Sequence, residues 1–236
     1  MIKSFTRLKP LNLLVVRIAL IILPIALLVQ SCKKQDEVVS NVALLSVVNT
    51  FPTLATFNLY LDDAKVNTAA LPFGGVINYF EIVPKTYSAK LTIESSTASL
   101  FTKDIVLENQ KIYSLFFING TASPDYLLVE DDINGQLTEK AYIRFMNLSP
   151  DASALNLVEG TNIVIPNKTY KSTDAFIEIE PKTYIFEIKD RATSVTKATL
   201  KSMEIVKGKC YTIISRGYLT PGDIDQAFSG QVIINR

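Results

Sequence analysis

The groups in this chain with chemistry to offer are two thiols, a spread of carboxylates and ten tyrosines; histidine and tryptophan are absent from all 236 residues. Without an imidazole, neither a Ser-His-Asp nor a Cys-His relay can move its proton. Histidine-ligated zinc and iron sites are closed for the same reason. Of the thiols, Cys210 sits in an apolar strand pattern with no activating base nearby and reads as a buried core residue. Glycosidase chemistry needs only two carboxylates at a fixed separation. Glu81 and Glu178 fall at equivalent positions of two similar segments, which alternation on a wet sheet face also produces. Glu130-Asp131-Asp132-Ile133-Asn134-Gly135 looks like the start of a calcium loop, but its first residue is Glu and its twelfth is Ala141, where a bidentate Glu is needed. It therefore reads as a polar turn. No enzyme activity, cofactor or metal is expected. Tyr87, Tyr113, Tyr184 and Tyr211 recur in both segments and are expected to pack a core or pin a corner, while Tyr60 and Tyr79 are candidates to point outward.

The remaining thiol stands in a different setting. Met1 to Arg17 holds Lys3, Arg7, Lys9 and Arg17 and no acid, and Ile18 to Val29 is an uncharged apolar run broken only by Pro24. That is the plan of a secretory leader, and the run is short for a bilayer-spanning helix, which needs about 20 residues. Val29, Gln30, Ser31 and Cys32 resemble the bacterial lipobox, with an apolar residue three before the cysteine and a small one immediately before it. The resemblance implies cleavage between Ser31 and Cys32 and a diacylglycerol on the Cys32 thiol. Lys33-Lys34-Gln35-Asp36-Glu37 then reads as a charged tether. Its lysines followed by acids resemble a Bacteroidetes-type signal for export to the cell surface, the alternative being the periplasmic face of the outer membrane. The whole chain has 24 basic and 23 acidic residues, so losing four basic ones leaves the rest slightly acidic. Nucleic acid is not an expected partner.

Beyond residue 41 the chain repeats itself. Ala43, Asn49, Pro52, Asn58 and Leu59 match Ala141, Asn147, Pro150, Asn156 and Leu157 at an offset of 98. Pro84-Lys85-Thr86-Tyr87 matches Pro181-Lys182-Thr183-Tyr184 at 97, and Lys111 and Tyr113 match Lys209 and Tyr211 at 98 again. A period of this length is a domain duplication, too long for a solenoid repeat. The expected organisation is a signal peptide over 1–31, a lipidated tether over 32–41, one repeat over 42–130, a linker over 131–140 and a second repeat over 141–236.

Within each repeat, apolar and polar residues alternate with period two. Phe57, Leu59 and Leu61 interleave with Asn58, Tyr60 and Asp62, and Tyr87, Ala89, Leu91 and Ile93 with Ser88, Lys90, Thr92 and Glu94. Such stretches are strands with one wet face. Ile112 to Ile118 is apolar throughout, as expected of a central strand covered on both faces. About seven short strands per repeat, bounded by Pro52, Pro84, Pro150 and Pro181, predict an all-β fold of two tandem antiparallel sandwiches.

Ala141-Tyr142-Ile143-Arg144-Phe145-Met146-Asn147-Leu148-Ser149-Pro150-Asp151-Ala152, followed by Leu155-Asn156-Leu157 and Gly160, resembles the opening of the domain of unknown function 4397. Pro181-Lys182-Thr183-Tyr184 sits where that family often has Pro-Gly-x-Tyr, with Lys85 and Lys182 in place of the glycine. The resemblance implies immunoglobulin-like β-sandwiches in exported bacterial proteins, and no activity. Export, anchoring and duplication together lead us to expect a non-enzymatic, lipid-anchored outer-membrane protein that meets a protein or polysaccharide partner through loops such as Pro52 to Thr56 and Pro150 to Ala154. The alternatives are a polysaccharide-binding accessory lipoprotein of a nutrient-uptake system and, less in keeping with the residues, a carboxylate-based hydrolase.

Overall fold

The computed structural model describes residues 41–119, 124–133 and 139–235, all within one compact unit that spans 41–236. Every regular element among the described residues is a strand. The first half contains β1 (Ala43–Asn49), β2 (Phe57–Leu61), β3 (Ala64–Lys65), β4 (Val76–Ile82), β5 (Thr86–Ile93), β6 (Ser99–Val106), β7 (Ile112–Asn119) and β8 (Pro124–Glu130). The second contains β9 (Ala141–Leu148), β10 (Leu155–Glu159), β11 (Asn162–Lys168), β12 (Ile177–Ile179), β13 (Thr183–Tyr184), β14 (Phe186–Asp190), β15 (Thr196–Thr199), β16 (Met203–Glu204), β17 (Cys210–Arg216) and β18 (Ser229–Ile234).

The two halves share one topology. Sheet β4-β1-β7-β8 faces sheet β3-β2-β5-β6 in the first, and β12-β9-β17-β18 faces β11-β10-β14-β15 in the second. The small pair β13-β16 is the second half's addition. Alternation supplies each core. Leu45, Val47, Leu115 and Phe117 from one sheet meet Phe57, Leu59, Ala89 and Leu91 from the other, and Ile143, Phe145 and Ile213 meet Leu157, Phe186 and Ile188. The pairing is antiparallel except at the centre of each first-named sheet, where β1 runs parallel to β7 and β9 to β17. The tight turn from β2 to β3 holds Asp62 and Asp63 at φ of 48° and 68°, the left-handed values that a two-residue hairpin turn requires.

The residues of β1, β7, β9 and β17 that face away from their own core are also buried. Val48, Phe116, Ile118 and Val129 pack against Met146, Leu148, Ile214 and Ile233. The two central sheets therefore lie face to face, giving four sheet layers. This is why Ile112 to Ile118 reads as apolar throughout: one face lines its own sandwich and the other lines the seam between halves.

Candidate functional site

Ser31, Cys32 and the tether Lys33, Lys34, Gln35, Asp36 and Glu37 lie outside the described residues. The two expected contact loops lie inside them. Pro52 to Thr56 is held by the second half: Leu54 N donates to Ile224 O at 3.1 Å and Gln226 N to Pro52 O at 3.2 Å. At this junction Leu54 is 61% and Ile224 70% exposed. Two large aliphatic side chains, one from each half, stand in water on backbones hydrogen-bonded to each other. Pro150 to Ala154 is tied within its own half. Asp151 accepts Leu219 N at 2.9 Å and Thr220 N at 3.0 Å, and Ser149 Oγ donates to Gly217 O at 2.6 Å. Beside it, hydrogen bonds from Ser153 Oγ and from the Thr193 and Ala192 backbone hold the Asp190 carboxyl down at a pKa of about 2.

The most elaborate polar cluster is one that sequence reading missed. Asp131, expected at the head of a solvated turn, is buried in the seam. One of its oxygens accepts from Arg144 Nη2, and the other from Tyr79 Oη at 2.5 Å and Ser114 Oγ at 2.6 Å. Arg144, 1% exposed, also donates from Nε to Thr212 Oγ1 at 2.8 Å. Thr212 donates to Asn235 Oδ1 at 2.6 Å, and Asn235 Nδ2 returns to Tyr79 Oη at 2.7 Å, closing the ring. The Arg144 guanidinium stacks over Phe176 at 4.6 Å. Tyr79 does point away from its own core, as alternation predicts, but into this ring and not into water. Burial and the adjacent Asp131 charge push its phenol far above the usual range. The ring joins Tyr79, Ser114 and Asp131 of the first half to Arg144, Thr212 and Asn235 of the second, and each of these side chains is already engaged with another member. Its role is cohesion between halves.

Other expected positions fall where the pattern puts them. Glu81 and Glu178 are exposed on edge strands, and Cys210 is fully buried. Tyr87 Oη donates to Val83 O at 2.8 Å and Tyr184 Oη to Glu180 O at 2.9 Å, each reaching four residues back. Tyr113 and Tyr211 accept Glu108 N and Val206 N, each five residues back. Lys85 and Lys182 each lie over the following tyrosine ring, at 4.6 and 4.5 Å, and pair with Asp62 and Glu159. The lysine that replaces a turn glycine thus braces the corner. Tyr60, half-buried, lies under Lys90.

Residues 43–158 match the family model described as Domain of unknown function (DUF4397). The DUF4397 match covers the first half and runs on through β9 into β10 of the second. No curated protein matches the chain. Among solved structures, it is similar to a family-26 carbohydrate-binding module from Eubacterium rectale in complex with maltoheptaose, at 10% identity and TM-score 0.24, covering 82% of this chain and 95% of that one. It is also similar to an alpha-glucan-binding streptococcal virulence factor, at 10% identity and TM-score 0.23, covering 73% and 92%. A DUF3823 family protein from Bacteroides ovatus follows, at 9% identity and TM-score 0.22, covering 70% and 98%.

Proposed function

We propose that this chain is a non-enzymatic, lipid-anchored protein of the bacterial outer membrane that presents a rigid double sandwich to a macromolecular partner. The observation that carries the presenting role is the Leu54–Ile224 tip. Leu54 and Ile224 are among the most exposed large apolar side chains of the described residues, and their two loops are fixed by hydrogen bonds across the halves. Exposed apolar groups on a rigid support are what a protein contact uses. Anchoring rests on Val29, Ser31 and Cys32 after a short apolar run.

Two measurements test this. Cells fed an alkyne palmitate should label the full chain and not its Cys32→Ser variant; an unlabelled wild-type chain overturns the anchor. Chemical cross-linking on intact cells should give adducts of the wild-type chain that disappear when Leu54→Glu and Ile224→Glu are combined. Adducts that persist in the double variant rule out the tip as the contact. A second reading, a polysaccharide-binding accessory protein, is favoured by a cationic trough on the second half.

A further inference from the structure

The two halves differ at one place where their topology says they should agree. In the first half, the side of the sandwich between β6 and β8 is shut by aromatic rings: Phe101 and Tyr126 meet edge to face at 5.0 Å, and Lys103 pairs with Asp125 at 2.9 Å beside them. Register gives the equivalents in the second half. Tyr126 lies opposite Phe117 as Gly230 lies opposite Ser215, and Phe101 lies opposite Leu91 as Ala198 lies opposite Ile188. Asp125 lies opposite Ile118 as Ser229 lies opposite Arg216. Both rings and the aspartate are therefore gone from the second half. An open trough of about 610 Å³ runs there between β15 and β18.

The trough has a distinct chemistry. Leu200, Met203 and Phe228 form an apolar floor, and Lys197 and Lys201 stand along it with Thr199, Ser202, Ser229 and Gln231. No carboxylate lines it. Most other lysines are neutralised: Lys85, Lys90, Lys103, Lys111, Lys140, Lys168, Lys171, Lys182, Lys189 and Lys207 each hold a carboxylate. Among the described residues Lys65, Lys197, Lys201 and Lys209 hold none, and of these Lys197 and Lys201 stand together in the trough. Lysines at strand edges also discourage edge pairing, but that role does not require removing the rings and the acid beside them.

β15 and β18 approach within 8 Å between Cα atoms. They are the edge strands of the two facing sheets, so the trough is the open rim of the second sandwich. Side chains close it below: a Cβ on Gly230 would lie 3.0 Å from Ile188 Cδ1 and 3.1 Å from Leu200 Cδ1. We propose that this trough binds an acidic polysaccharide, its carboxylates or sulfates on Lys197 and Lys201, its hydroxyls on Thr199 and Ser202, and a sugar face on the apolar floor.

The proposal deepens the reading of the chain as a binding protein and fails separately from it, since loss of palmitate labelling leaves this site standing and the reverse also holds. The test is affinity electrophoresis of the full chain in detergent through gels containing polygalacturonate, dextran sulfate or neutral dextran. Retardation is expected with at least one anionic polymer, distinguishing carboxylate from sulfate, and not with neutral dextran. The Lys197→Gln, Lys201→Gln double variant should lose at least tenfold in apparent affinity, whereas Lys65→Gln, another lysine without a carboxylate partner, should not. No retardation by either anionic polymer overturns the proposal, as does equal loss in Lys65→Gln. Poly-glutamate binding as tightly through the same two lysines would replace the saccharide with an acidic peptide and overturn it too.

Discussion

Asp131 and Arg144 are the residues on which the joint between halves turns. Both are at most 1% exposed, and each is a charge removed from water. Such a pair contributes little net stability against an apolar equivalent, but removing one partner strands the other and costs about 3–5 kcal/mol. Asp131→Ala should therefore lower the urea midpoint by an amount equivalent to that range, since among the described residues Arg144 then keeps Thr212 and Phe176. Adding Arg144→Met should restore a large part of the loss, because no unpaired charge then remains. A double variant as unstable as Asp131→Ala alone contradicts this account. None of it was legible in the sequence. Asp131 stands among Glu130, Asp132, Asn134 and Gly135, a composition that signals a turn, and the partner that buries it lies on a strand of the other repeat.

At the scale of the element, the repeated tyrosines were legible because duplication shows which positions recur. Tyr87 and Tyr184 make the same bond to a carbonyl four residues back, at 2.8 and 2.9 Å. A single hydrogen bond of this kind contributes about 1 kcal/mol net. Tyr87→Phe and Tyr184→Phe should each cost about that much in thermal or urea unfolding. Because the two corners share no partner, the double variant should be close to additive. A cost well above the sum would show that the corners communicate. The strands were readable from period-two alternation at Phe57 to Leu61 and Tyr87 to Ile93. Their partners were not. The parallel pairing of β1 with β7 joins residues far apart in sequence, and no local signal distinguishes it from an antiparallel neighbour. β13 and β16, two residues each, are too short to carry a pattern.

For the whole molecule, the seam is expected to couple the unfolding of the two halves. Val48, Phe116, Ile118 and Val129 pack across it against Met146, Leu148, Ile214 and Ile233. If either half unfolded alone, it would expose that apolar layer on its neighbour and strand Asp131 or Arg144. At roughly 25 cal/mol per Å² of apolar surface, exposing several such side chains costs several kcal/mol before the ion pair is counted. That penalty is comparable to the 5–15 kcal/mol that stabilises an ordinary domain. Calorimetry of the full chain should therefore show one transition whose calorimetric and van't Hoff enthalpies agree. Core variants placed in different halves report the same linkage: Leu59→Ala in the first and Ile188→Ala in the second should each move that single midpoint downward and leave it single. Two resolved peaks, with Leu59→Ala shifting only one, would mean that the seam is too weak to couple them. Coupling matters to the proposed role, because a tip built from Leu54 of one half and Ile224 of the other keeps its shape only while both halves are folded and docked.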